Sequence, residues 1–206
     1  CSSDLGEGLS THLSELREKV LEKPDAPLML RRMKIDHIEG LPSLTRHVIE
    51  ETMLAEQATS YGNAVKSARG MSGQKGAVLT ALGELRRVAL QPSRFDVVTD
   101  EMFFETAARL RVLARVLDRI KAADEKALVF VNSLEVQQQL LVRLQRRYRM
   151  DRPPLMINGA VEGPERQKRV DEFQARSGFD VMVLSPRAGG VGLTLHAANH
   201  VIHLDR

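Results

Sequence analysis

The sequence predicts an α/β fold: a doubly wound parallel sheet, incomplete at its C-terminal side, preceded by a mainly helical segment. Three observations lead there. Four short, mainly apolar runs, 127–131, 155–157, 181–184 and 201–204, read as strands, and 127–131 and 181–184, with nothing polar in them, as buried ones. Helical stretches at 134–148 and 164–175 separate the first three, Pro164 standing near the first turn of its helix, and a β-α-β-α-β order implies right-handed crossovers. A turn holding Gly189, Gly190 and Gly192 follows the third run and Asp205 ends the fourth, which gathers polar groups at the carboxyl ends of strands, where open α/β sheets bind ligands.

Taken in order, Leu9, Leu13, Leu16 and Val20 recur at helical spacing until Pro24 and Pro27 interrupt the chain. In 28–42, Leu28, Leu30, Met33 and Ile35 alternate with Arg31, Arg32 and Lys34, and Gly40 and Pro42 close the segment. Residues 44–53 alternate enough to suggest a strand, and 55–68 are polar and alanine-rich enough for a surface helix. Residues 70–73 read as a loop, and Val78, Leu82, Leu85 and Val88 form a helical stripe ended by Pro92. From 103 to 120, Leu110, Leu113, Val116, Leu117 and Ile120 give one helix packed on the sheet. The expected division is 1–24 as a chain end with a helix, 25–101 as a linking and helical segment, and 102–206 as the sheet-bearing lobe.

Composition excludes several classes. Of 206 residues, 43% are hydrophobic and 28% charged, so the chain is globular rather than disordered. A formal charge of +3 permits nucleic-acid binding without demanding it. The single cysteine, Cys1, cannot form an internal disulfide, and no apolar run approaches the ~20 residues of a membrane span.

Candidate chemistry is sparse. Residues 70–76 lack the spacing, and the Ser or Thr after lysine, of a phosphate-binding loop, and Gly190-Val191-Gly192 lacks the third glycine of a dinucleotide fingerprint. His200 and His203 leave opposite faces of a strand, so they and His196 do not make a metal site. No Ser-His-Asp or paired-carboxylate set stands out, and no catalytic residue is assigned. Asn132 and Ser133 follow a strand, where they either meet a ligand or cap the next helix. Arg143, Arg146, Arg147, Arg149 and Arg152 form the densest basic cluster, either a phosphate-attracting surface or a solvated helix face. With aromatics at 4% and no tryptophan, stacking on single strands is a poor fit and backbone tracking of a duplex a better one.

Residues 181–206 resemble a motif of the second ATPase lobe of Swi/Snf-type translocases, in helicase superfamily two. There a strand ends in Ser, a Lys or Arg follows at the second position, and Ala-Gly-Gly-x-Gly-Leu-Asn-Leu leads to a strand ending in Asp. Here these are Ser185, Arg187, Ala188, Gly189, Gly190, Gly192, Leu193 and Leu195, then Asp205, with Pro186 and Thr194 as departures. The likeness extends from about residue 28 to 206: Leu30, Arg31, Arg32, Lys34, Leu41 and Pro42 match the segment crossing between lobes, and Gln57 and Tyr61 a following signature. Leu85-Arg86-Arg87 with Pro92 matches a third, without its Cys and His, and Ile157-Asn158-Gly159 with Arg166, Gln167 and Phe173 a fourth.

The resemblance implies a RecA-like lobe of an ATP-dependent double-stranded-DNA translocase. It implies nucleic-acid contacts at Asn132, Ser133, Gly159, Ser185, Arg187, Gly189 and Gly190, and coupling to ATP at Gly192 and Asp205. ATP and Mg would be bound mainly by a first lobe of the same polypeptide, leaving this chain alone inactive. The implied setting is a bacterial cytoplasm and its nucleoid, with a nucleoprotein or RNA polymerase complex as a further partner and no membrane. Cys1–Leu5 is read as an adapter-derived scar, and the reading frame is expected to continue past Arg206 into an arginine-bearing motif. Two alternatives stay open: a non-catalytic nucleic-acid-binding module of the same fold, and a dinucleotide-type small-molecule-binding domain.

Overall fold

The structure is a computed structural model that describes Glu15 and residues 44–70, 76–92, 98–189 and 192–205. The chain divides into units of residues 1–48 and 49–206. The expectations for 9–20, 28–42 and 71–73 lie outside the described residues, Glu15 excepted, which is helical.

Eleven elements are described. Helices α1 (Ala55–Gly70), α2 (Ala77–Leu90), α3 (Asp100–Glu105) and α4 (Ala108–Ala122) precede β1 (Lys126–Phe130). Then come α5 (Leu134–Tyr148), β2 (Leu155–Ile157), α6 (Gly163–Ala175), β3 (Asp180–Leu184), α7 (Pro186–Gly189) and β4 (His200–His203). All strand pairs are parallel, in the order β2-β3-β1-β4. The expected parallel sheet behind a helical segment is what the chain adopts.

Alternation along the strands explains the layering. Ala127 and Val129 of β1 and Val181 and Val183 of β3 face a core with Leu110, Leu113 and Leu117 of α4 and Leu140 and Leu144 of α5. Leu128, Met182 and Leu184 face the other way, onto Val170 and Phe173 of α6. Helices therefore cover both faces, which is why β1 and β3 are apolar on both sides beyond their first residues, Lys126 and Asp180.

Four local readings are corrected. Residues 44–54 form no strand; the alternation there has no neighbouring strand to pair with among the described residues. The stripe of α2 is only partly buried: Val88, Ala89 and Leu90 enter the core, whereas Val78 and Leu82 are exposed. The expected surface helix at 55–68 runs to Gly70 and buries Gln57 completely. The single helix expected over 103–120 is two, α3 and α4, separated at Thr106 and Ala107, where Ala107 is extended with φ −129°.

Two glutamines hold that break. Gln57 Nε2 donates to the carbonyls of Val88 and Ala89, both at 3.1 Å, and its Oε1 accepts the Ala108 N–H at 3.0 Å. Gln91 Nε2 donates to the Phe103 carbonyl at 3.2 Å, and its Oε1 accepts from the Thr106 hydroxyl at 3.4 Å. An unpaired N–H at the start of α4 would otherwise be buried.

Charges also sit inside. Lys126, at the start of β1, donates from Nζ to the carbonyls of Phe173, Gln174 and Arg176, closing the C-terminal end of α6. Burial pushes its ammonium pKa down and that of Asp180 up. Arg176 bridges Asp180 at 3.1 Å and Glu172 at 2.7 Å.

Replacing Gln57 with Leu should lower stability by about 2–4 kcal/mol, since it strands two buried carbonyls and one N–H; a urea midpoint that does not move would show the amide to be dispensable. The hydrogen bond from Arg176 holds Glu172 below its ordinary 4.5, so its contribution is present above that pH and lost as pH falls through the folded-state value. Glu172→Gln should accordingly lower stability modestly near pH 7, where the contribution is present, and flatten the acid limb of a stability–pH profile so that variant and parent converge as the pH falls below about 4.5.

Candidate nucleic-acid interface

The parallel sheet brings four connections to one edge, at the carboxyl ends of its strands. Beyond β1, the Val131 N–H donates to the Leu184 carbonyl at 3.0 Å and the Leu204 N–H to that of Phe130 at 2.9 Å, so the ladder reaches up to the site residues.

Asn132 and Asp205 meet there. The Asn132 N–H lies 3.0 and 3.1 Å from the two carboxylate oxygens of Asp205, and Asn132 Nδ2 donates to Oδ1 at 2.9 Å. Three donor contacts on one carboxylate join the turn after β1 to the end of β4. Ser133 takes the capping role: its hydroxyl accepts the Val136 N–H at 3.3 Å and starts α5.

Ser185 ends β3. Its N–H donates to the Ile157 carbonyl at 3.0 Å and its hydroxyl accepts the Ala188 N–H at 3.3 Å, folding the chain into α7. Arg187 lies on that one-turn helix, exposed, with no ion pair among the described residues. Gly189 ends the helix, and Gly190 lies outside the described residues. Gly192 has φ +72°, a conformation that a residue with a Cβ adopts at a cost, so this position has a backbone reason for glycine. Gly159 has none: its φ is not positive, it is exposed, and a Cβ there would meet nothing within 4 Å. A requirement for glycine at 159 would have to come from a ligand.

The arginine cluster on and after α5 is largely neutralised. Arg143 donates to Asp100 at 2.9 Å and to the Val98 carbonyl at 3.0 Å while stacking 4.7 Å over Phe103. Arg146 pairs with the same carboxylate at 3.0 Å, Arg147 with Asp118 at 2.9 Å, and Arg152 with Glu172 at 3.9 Å. Arg149 caps α5 in the left-handed conformation, φ 50°. These geometries favour the structural role over phosphate attraction. Glu165 does not pair with Arg166; its partners are Arg169, one helical turn on at 3.0 Å, and Lys168, while Arg166 donates to the Val161 carbonyl.

The histidines are apart as the strand period requires. His200 pairs with Glu125 at 2.5 Å, whereas His203 stacks on Phe130 with 5.1 Å between centroids. Among the described residues no three His, Cys, Asp or Glu side chains converge as metal ligands. One residue the sequence reading passed over reaches the edge: Arg109, at the start of α4, donates to the Leu204 carbonyl at 3.5 Å. Its signal was hidden because the approach of α4 to β4 is a tertiary contact.

Comparisons with known proteins place this geometry. The helicase conserved C-terminal domain matches residues 108–206. A Bacillus subtilis protein named as an ATP-dependent helicase/translocase, YwqA, is 31% identical over 93% of this chain, which spans 22% of that protein's length. Two solved structures share the fold over 94% of this chain. The Sulfolobus solfataricus SWI2/SNF2 ATPase core domain is 22% identical with a TM-score of 0.70, the match covering 44% of that chain. The same core in complex with double-stranded DNA is 20% identical with a TM-score of 0.67, covering 45% of that chain.

Asp205→Ala should free the turn after β1: the Asn132 amide would exchange with solvent about tenfold faster, while amides of β3 keep their protection. Unchanged exchange at Asn132 would mean that the turn holds without the carboxylate.

Proposed function

We propose, from the premise that residues 108–206 of this chain are a helicase conserved C-terminal domain, that the chain is the second lobe of a Swi/Snf-type ATPase which tracks along double-stranded DNA. The observation that carries the reading is the polar edge: Asn132, Ser133, Ser185 and Arg187 directly follow the carboxyl ends of parallel strands, with Arg187 outside the chain's own ion pairs among the described residues. Hydroxyls, amides and one open guanidinium in that position suit a phosphate backbone, which is read without sequence information. The likeness to a core solved with double-stranded DNA supports a duplex as the ligand.

The arrangement also bears on ATP and Mg. The Asp205 carboxylate is engaged by Asn132, and no acidic cluster among the described residues suits a divalent cation, so the groups here fit a facing role rather than a holding one. A first lobe would hold the nucleotide and its metal, and bound ATP would supply the phosphoryl transfer that drives closure of the lobes. Gly192 and Asp205 would lie towards that nucleotide, and Gly159, Gly189 and Gly190 towards DNA. A cytoplasmic, nucleoid-associated setting and a nucleoprotein or RNA polymerase complex as the remodelled partner complete the proposal. No helix among the described residues is long and apolar enough to cross a membrane.

Duplex binding by the 206-residue chain, measured across a salt series, tests the reading. The parent should show a linear fall of log affinity with log salt, and Arg187→Ala should flatten that slope by about 0.9, the loss of one neutralised phosphate, with little change in thermal stability. Coinciding slopes would remove Arg187 from the interface. Purified chain should also release no phosphate from ATP in the presence of duplex; turnover above buffer would mean that the site is complete in this chain.

A further inference from the structure

Beneath the polar edge lies a pair of buried amides to which the proposed function assigns no role. Gln137, on the first turn of α5, is completely buried, and Asn158, at the end of β2, nearly so. Gln137 Nε2 donates to the Val131 carbonyl at 2.7 Å, the residue directly before Asn132. Gln137 Oε1 accepts from Asn158 Nδ2 at 3.2 Å. Asn158 Oδ1 in turn accepts the Ala160 N–H at 3.0 Å, shaping the turn that carries Gly159. The chain of bonds thus runs from the backbone of one surface turn, through two side chains, to the backbone of the other.

Each link has a reason to be rigid. A buried carbonyl and a buried amide left unpaired are costly, so neither side chain gains by leaving. Within this relay Gln137 acts once as donor and once as acceptor, two roles that its amide fills with separate atoms and that a protonated glutamic acid of the same length can also fill. β1 and β2 are not neighbours in the sheet: β3 lies between them and is laddered to each, through Val131 N–H to the Leu184 carbonyl and Ser185 N–H to the Ile157 carbonyl, which leaves no direct backbone bond between the two turns. The amide relay spans that gap.

We propose that Gln137 and Asn158 are positioning residues that hold the turn bearing Asn132 and Ser133 in register with the turn bearing Gly159, so that both meet a phosphate backbone as one preformed surface. The inference rests on the duplex-DNA reading above for its ligand. Rigidity of this kind raises affinity by lowering the ordering cost of binding, and leaves the number of neutralised phosphates as it was.

The test uses the full chain and two variants. Gln137→Met keeps the volume and removes both bonds; it should weaken duplex binding about three- to tenfold while the salt slope stays at the parent value. Gln137→Glu keeps the acceptor and, once protonated, regains the donor, so its affinity should recover towards the parent as pH falls. Hydrogen exchange without DNA is the second readout: in Gln137→Met the Ala160 and Asn132 amides should lose protection together. Unchanged exchange at Ala160 or at Asn132, or a Glu variant whose affinity relative to the parent does not vary with pH, would overturn the relay. If the parent itself binds no duplex, the DNA reading fails and the exchange arm alone decides whether the turns are coupled.

Discussion

The arrangement of helices ahead of the sheet depends on the side-chain amide of Gln57. Three backbone groups from two different stretches, the carbonyls of Val88 and Ala89 and the N–H of Ala108, converge on it in a fully buried position. A helix end must satisfy its first amides and last carbonyls somewhere, and here the end of α2 and the beginning of α4 do so through one residue of α1. Because α4 packs on the sheet through Leu110, Leu113 and Leu117, the same amide fixes where the helical segment stands relative to β1. Gln91 repeats the device on α3 and makes the break before α4 permanent.

Among the described residues, several basic side chains of the helices are matched by carboxylates within the fold. Asp100 takes both Arg143 and Arg146, Asp118 takes Arg147, and Glu51 takes Arg111 and Arg115, the last two holding its carboxyl below the usual range. A net charge of +3 therefore says little about where a polyanion would bind; the position of Arg187, outside these pairs, says more.

Much of this was legible in the sequence. Strands 127–131, 155–157 and 181–184 stood out because they hold no polar residue, and 201–204, an edge strand carrying His203, because its other residues are apolar; each was found within a residue or so of its expected bounds. The positions of Asn132, Ser133 and Asp205 at strand ends followed from those strands. Their mutual bonding did not, nor did the Gln57 junction, the split of 103–120 or the Gln137–Asn158 relay, because each depends on a partner far away in the chain. The alternation at 44–53 misled for the same reason: period two describes one strand, but a strand exists only beside another.

The strand order has a consequence for how the lobe comes to exist. β1 is central, yet its two neighbours are β3 and β4: Lys126 pairs with Asp180, and Ala127 with His200. During synthesis β1 emerges first and waits without either edge partner while α5, β2 and α6 are made. Every ladder it joins closes a long loop, so sheet formation carries the entropic delay of high contact order. Until β3 emerges, the apolar residues 127–130 of β1 have neither of their strand partners, so the sheet closes only once residues 180–203 have been made.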